Sequence, residues 1–349
     1  MKSSFIALAV SLISLTPNPS PTGEGSIHTY QKEQHQKLYT PLAHKVPLAL
    51  WRGVRGEAGV GGEAFILFTG DILLDRGVRR VIDRQGADAL FSQDIDSVFS
   101  ASDIVVGNLE CPATKVKSPV FKRYIFRGEP EHLATLRKHG FTHLNLCNNH
   151  SIDQGREGLT DTKRNIEQSG MVSVGAGRNM NEAAQPVLLT GEPRKVWLLT
   201  SLRMALENWA PLDDRPCVSQ EPMDSLISRI RRLKKADSTA VIVVSLHWGG
   251  EHTLRPVPLQ RMEAHRLIDT GADVLVCHHT HTLQTIEKYK GKMIYYSIGN
   301  FIFDQPKPLN AKACMVRLKV TKEKTEVETI PILIKNCVPF IRKTFEKNH

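Results

Sequence analysis

The chain has 349 residues, with 46 Lys+Arg against 36 Asp+Glu and a formal charge of +10 at pH 7. It is long enough to bury a large core, and its charge suits an anionic partner. The basic residues are spread along the chain without zinc-finger spacing or an RNP-like motif, which argues against nucleic acid, and six cysteines fall singly without a C-x-x-C pair, which argues against a disulfide framework.

The start, MKSSFIALAVSLISL, places one lysine ahead of an apolar run too short for a membrane span, which fits the opening of a secretory signal. TPNPSPTGEGS follows without an A-x-A cleavage site, so a disordered leader or a misplaced start fits the same residues. These residues point to the cell envelope or export, with the cytoplasm as the alternative. Up to residue 62 the chain is rich in Pro, Gly, Ser and charge without periodic patterning, and it reads as a poorly ordered linker.

From Glu63 onward short apolar runs recur: AFILFTGD, DIVVGNLE, FTHLNLCNNH, KVWLLTSL, TAVIVVSLHWG, ADVLVCHHTH and KMIYYSIGNF. Runs that are apolar throughout predict strands covered on both faces. Helices are predicted from Pro130 to a stop at Gly140, from Glu157 to Ser169 before Gly170, and from Pro258 to Gly271. The closing MVRLKVTKEKTEVETIPILIK predicts an antiparallel hairpin. Strands alternating with helices give a layered α/β fold with one main domain over residues 63–335 and a tail over 336–349.

Five of these runs stop at side chains able to bind a metal: Asp71; Asn108 and Glu110; Asn149 and His150; His247; His279 and His281. Taken singly, each has an ordinary explanation: Gly-Asp makes a turn, Asn-Asn caps a helix, a histidine packs in a core. Their joint occurrence at strand ends is what carries weight, because the carboxyl ends of strands in α/β folds open onto the ligand crevice. The carboxylate, amide and imidazole donors suit Mn, Zn or Fe better than Ca. They outnumber the needs of one four-coordinate ion and fit one or two divalent ions, the latter sharing a bridging carboxylate.

At these residues the sequence resembles the CapA family of capsule and poly-γ-glutamate synthesis proteins, whose domain is similar to the calcineurin-like metallophosphoesterases. The stretches that carry the resemblance are TGDILLDRGV, VGNLECP, NNHSIDQGREGLTDT, VGAGRNMNEAAQPV, SLHWGGEH and HHTHTLQTIEKYKGKMIYYSIGNFIFDQ, from about Ala64 to Gln305. It implies a four-layer αββα sandwich. It further implies that Asp71, Glu110, Asn149, His247, His279 and His281 hold metal, with Glu110 bridging, Asn148 supporting Asn149 and His150 touching the transition state. Three departures stand out: the usual Asp-x-His is here Asp71-Ile72-Leu73, Glu110 replaces the usual aspartate, and Cys277 replaces a glycine.

Arg127 and Arg178 are the candidates for gripping an anionic group, and solvated surface arginine is their equal alternative. Asn108, Glu251, His252 and Asn300 are candidates for orienting ligands from behind. No Gly-x-Ser-x-Gly elbow supports a serine nucleophile. The sequence thus points to a metal-dependent hydrolase acting on an anionic polymer or phosphoester, beside a membrane-associated synthesis or export complex. The alternative is a non-catalytic module that binds or anchors the polymer.

Overall fold

The computed structural model describes residues 62–342 apart from Pro211. The leader-like start and the linker up to residue 61 lie outside the described residues.

The chain first lays down β1 (Glu63–Ile72), β2 (Ile104–Leu109), β3 (His143–Asn145) and β4 (Val172–Val174), each parallel to the one before. Helices connect them: α1 (Arg76–Gln85) and α2 (Gln93–Ser100), then α3 (Leu133–His139), then α4 (Gly155–Gln168). β5 (Ala176–Gly177), the short α5 (Met180–Ala183), β6 (Val187–Thr190) and β7 (Val196–Leu202) follow, then β8 (Cys217–Val218), which pairs with β5.

A second sheet grows on β7. α6 (Met223–Ala236) leads to β9 (Val241–His247), and α7 (Pro258–Thr270) leads to β10 (Val274–Val276). β11 (Ile286–Tyr289) and β12 (Lys292–Tyr295) complete it in the order β11-β12-β10-β9-β7-β6. The chain then returns to the first sheet, where β13 (Asn300–Ile302) runs parallel to β1. β14 (Lys312–Thr321) and β15 (Thr325–Lys335) form the expected antiparallel hairpin, with β14 against β1.

Three apolar clusters show how the layers stack. Alternate residues of a strand face opposite sides of its sheet, and β1 divides accordingly. Leu67 joins Leu109, Leu136, Leu159 and Ile166 under the helices α3 and α4, whereas Ile66 and Phe68 meet Leu198, Val243 and Val276 of the second sheet. On the far side Ile242, Val244 and Leu275 pack against Leu226 and Ile230 of α6 and Leu267 of α7. The result is the four-layer αββα sandwich. All six cysteines are unpaired.

The three helices read from the sequence are present at their expected stops. Gly140, Gly170 and Gly271 all adopt positive φ just beyond the helix ends. The domain boundary expected at residue 335 falls short. β16 (Val338–Ile341) pairs antiparallel with β15, and the Ile341 N–H donates to Asp94 Oδ2 at 2.7 Å. The turn before it, Asn336-Cys337, has φ of 49° and 72°, the double left-handed geometry of a tight hairpin. A cysteine in a position that usually takes glycine concealed that turn.

Candidate metal centre

The carboxyl ends of β1, β2, β3, β9 and β10 lie together, and their first loop residues supply the centre. Asp71 closes β1, where the backbone crowds β13: a Cβ on Gly70 would lie 2.1 Å from the Gly299 carbonyl oxygen, so only glycine fits before the aspartate. Glu110 follows β2, its N–H donating to the Ile72 carbonyl at 2.8 Å. His247 is the last residue of β9, and the loop after β10 brings His278, His279 and His281.

Two donor groups result, and Glu110 belongs to both: Glu110, His247 and His279 in one, Asp71, Glu110 and His281 in the other, each with its donor atoms within 4.8 Å of one another. In the first, His247 Nε2 lies 3.1 Å from His279 Nδ1, 3.5 Å from Glu110 Oε1 and 2.7 Å from Asn149 Oδ1. In the second, His281 Nδ1 lies 3.2 Å from Asp71 Oδ2 and 3.8 Å from Glu110 Oε2. Ligands about 2.0–2.2 Å from one tetrahedral ion stand roughly 3.3–3.5 Å from each other, so most of these spacings suit a shared cation.

The electrostatics agree. Asp71 and Glu110 are wholly buried, and neither oxygen of Glu110 nor Oδ2 of Asp71 has a hydrogen-bond partner. Burial pushes both carboxyls up; at Asp71, His278 and His281 outweigh it and hold the group well below the usual carboxylate range. At Glu110 burial and then the negative Asp71 add together, holding its carboxyl well above that range. Two buried carboxylates cannot both ionise cheaply, and a divalent cation between them removes the penalty. Burial also lowers His247 well below its ordinary value, with neighbouring His279 adding to the effect, and lowers His279 to about 4, so both rings are neutral at pH 7, the form that ligates metal. The donor set therefore fits a divalent ion.

Behind the donors lies a polar lattice. Asn108 Nδ2 donates to Asp71 Oδ1 at 2.8 Å, and Asn145 and Asn148 both donate to Asn108 Oδ1. Asn148 Oδ1 accepts from the His150 N–H, the Ser151 N–H and the Ser151 hydroxyl, fixing the turn that carries Asn149 and His150. Asn300 Oδ1 lies 2.9 Å from His281 Nδ1. His150 Nδ1 contacts Asp153 Oδ2 at 2.8 Å, which leaves Nε2 as the nitrogen available to a ligand, and its ring stacks on Phe126. Burial lowers the His150 pKa although Asp153 opposes it.

Non-glycine residues with left-handed backbone gather here: His279 at φ 98°, His281 at 57°, His252 at 60° and Arg76 at 50°. Such conformations cost on the order of 1–3 kcal/mol each and cluster at functional sites.

The structure thus brings together Asp71, Glu110, Asn149, His150, His247, His279 and His281, with Asn108 and Asn300 behind them. Glu251 lines a cavity of about 60 Å³ beside the centre, together with Lys122, Asn149 and His150. His252 instead pairs with Asn310, at 3.1 Å. None of Arg76, Arg127 and Arg178 lines this cavity. The Arg127 guanidinium is spent on the Thr114 carbonyl and Glu129, and Arg178, largely exposed, pairs with Glu182 one helical turn away.

Sequence reasoning missed four participants. His278 Nδ1 lies 3.2 Å from Asp71 Oδ1, whereas Leu73 is buried in the apolar core. Asp153, Asn145 and Lys122 were also missed; Lys122 Nζ donates to the Asn149 carbonyl and Asp153 Oδ1. The first histidine of HHTH and the His150-x-x-Asp153 spacing were the available signals, whereas nothing local marks Lys122 or Asn145.

The family model described as bacterial capsule synthesis protein PGA_cap matches residues 65–305. The chain is 34% identical to the PGA biosynthesis protein CapA of Bacillus subtilis (strain 168), over 78% of this chain and 72% of that protein. It is 31% identical to the capsule biosynthesis protein CapA of Bacillus anthracis, over 77% and 67%. Among solved structures, the NAD nucleotidase of Haemophilus influenzae aligns with a TM-score of 0.48 at 12% identity, over 78% of this chain and 50% of that one. With the family model spanning all of the donor-bearing strand ends and two capsule-synthesis relatives above 30% identity, the chain belongs to the bacterial capsule synthesis protein family PGA_cap.

Proposed function

We propose that the protein is a metal-dependent hydrolase of capsule or poly-γ-glutamate synthesis, acting on an anionic polymer or a phosphoester. The observation that carries this reading is Glu110: a buried carboxylate with both oxygens unpartnered, shared between two donor groups. Asp71, His281 and Glu110 would hold one ion, and Glu110, Asn149, His247 and His279 a second, with Mn, Zn or Fe as the candidates. A bound ion supplies Lewis acidity toward water and toward the scissile phosphoryl or carbonyl group.

The chain's own residues do the rest. Asp153 holds His150 through Nδ1 and supports its imidazolium form, in which Nε2 carries the proton given to the leaving group. Lys122 secures Asp153 and the Asn149 backbone together, so donor and ligand keep one relative position. Asn108 orients Asp71.

Membership of a capsule-synthesis family suits a place at the cell envelope, beside a membrane-associated synthesis or export complex. Among the described residues no helix is long and apolar enough to cross a membrane. Purified protein should cleave an aryl phosphate ester or shorten poly-γ-glutamate in a reaction that needs Mn or Zn and stops with chelator. The second reading, a polymer-binding module without turnover, is favoured by one feature: Leu73 stands in the core where the phosphoesterase pattern has a histidine ligand. Polymer co-sedimentation that survives chelation, with no cleavage, would select it.

A further inference from the structure

Arg76 lies just past the strand that carries Asp71, and nothing in the reading above gives it a task. Its guanidinium is 4.7 Å from the Phe126 ring centroid and 5.7 Å from that of Phe303. Phe126 in turn stacks on His150 at 4.2 Å, and Phe303 packs on His281 at 4.7 Å. One aromatic ring therefore separates this cation from the candidate proton donor, and one ring separates it from a candidate metal ligand.

Its hydrogen bonding is unfinished. A guanidinium has five N–H donors, and among the described residues the hydrogen bond it makes is from Nη2 to Asp304 Oδ1. Among the described residues the buried Nε has no partner, while the side chain as a whole is 36% exposed. A buried donor left without a partner is uncommon in a folded protein and calls for an explanation. Asp304 is itself anchored, because its Oδ2 accepts the Gly77 N–H at 2.7 Å, and a Cβ on Gly77 would lie 2.5 Å from the Asp304 Cβ. The backbone of Arg76 is left-handed at φ 50°. Rings on its faces, a carboxylate on one nitrogen and a strained backbone fix the position of a cation with donors to spare.

We propose that Arg76 is the residue that grips an anionic group of the ligand at the metal centre, a tetrahedral phosphate or a carboxylate adjoining the bond to be cut. This rests on the centre being the working site of the protein. It assigns to Arg76 the task expected of Arg127 and Arg178. A guanidinium held this way presents two donors to two oxygens, which an ammonium cannot match.

The test is calorimetric titration of the full chain with inorganic phosphate and, separately, with the dipeptide γ-glutamylglutamate. Each is run with and without Mn on wild type, Arg76→Gln and Arg76→Lys, with metal content and melting temperature measured alongside. Arg76→Gln should keep its metal and weaken binding of the preferred anion at least tenfold, and Arg76→Lys should recover part of the loss. Preference for phosphate marks a phosphoester ligand, preference for the dipeptide a carboxylate polymer, and either supports the role. Should Arg76→Gln fail to fold, a loss of at least threefold in Arg76→Lys decides the matter. Unchanged affinity in the variants, binding of neither anion by wild type, or weakening only alongside loss of metal overturns it. A wild type that holds no metal sinks the hydrolase reading instead, and the metal-free titrations still judge Arg76.

Discussion

His247 Nε2 lies 2.7 Å from Asn149 Oδ1, although the two residues are 98 positions apart and follow strands of different sheets. Neither sheet alone can make this contact. It exists because the sandwich sets the carboxyl ends of β3 and β9 side by side, and so the stacking of the layers and the assembly of the donors are one event.

Glu110 should reverse its effect on stability with metal. Without an ion its carboxyl is held up by burial and by Asp71, so Glu110→Gln should melt at or above the wild-type temperature in chelator. With Mn or Zn at about 100 times Kd, wild type should gain about 2.7 kcal/mol, and the variant should lose most of that gain. Thermal melts in both conditions check the sign change; a variant equally destabilised in both would mean that Glu110 serves packing alone.

His150 and Asp153 should act on turnover rather than on metal. Positioned proton transfer contributes roughly 10²–10⁴-fold, so His150→Ala should lower kcat by that order while elemental analysis finds its metal unchanged. Asp153→Asn should follow in the same direction. It should also cost stability, because the carboxylate accepts from Lys122, His150 and the Phe126 N–H.

His143 gives the fold a pH dependence away from the centre. Burial lowers its pKa from the ordinary 6.5 to about 4. Between these values the unfolded chain binds the proton and the folded chain does not, so stability falls as pH drops through this window and changes no further below it. From pH 7 to pH 5 this histidine should account for about 2 kcal/mol. Chemical denaturation of wild type and His143→Gln at both pH values should show the variant losing less by that amount.

Phe68 tests the inter-sheet core. It is 2% exposed and packs in the cluster shared by both sheets. Phe68→Ala should cost about 3–5 kcal/mol, and since the sheets position the two halves of the centre, metal affinity should fall with it.

Much of this was legible in the sequence because strands buried on both faces are written as continuous apolar runs, and their ends are punctuated by polar donors. β1, β2 and β9 with Asp71, Glu110 and His247 follow that pattern. Helices ending in glycine were equally visible. α6 was passed over although Met223, Leu226, Ile227 and Ile230 form a buried stripe, because its dense lysines and arginines resemble a solvated segment. α1 has only Gly77, Val78 and Ile82 buried, too few for a periodic signal. The state of the arginines was not legible for another reason: whether a guanidinium is paired or free depends on Glu129, Glu182 and Asp304, and such pairings are not written in local spacing.

The central claim is that donors from both sheets grip a cation through Glu110. Elemental analysis of the purified full chain tests it most directly, run beside Glu110→Ala and Asp71→Asn. One to two divalent ions per wild-type chain, with clear loss in both variants, is the expected result. A wild type free of bound metal after incubation with Mn, Zn and Fe, or variants retaining its full complement, would contradict the account.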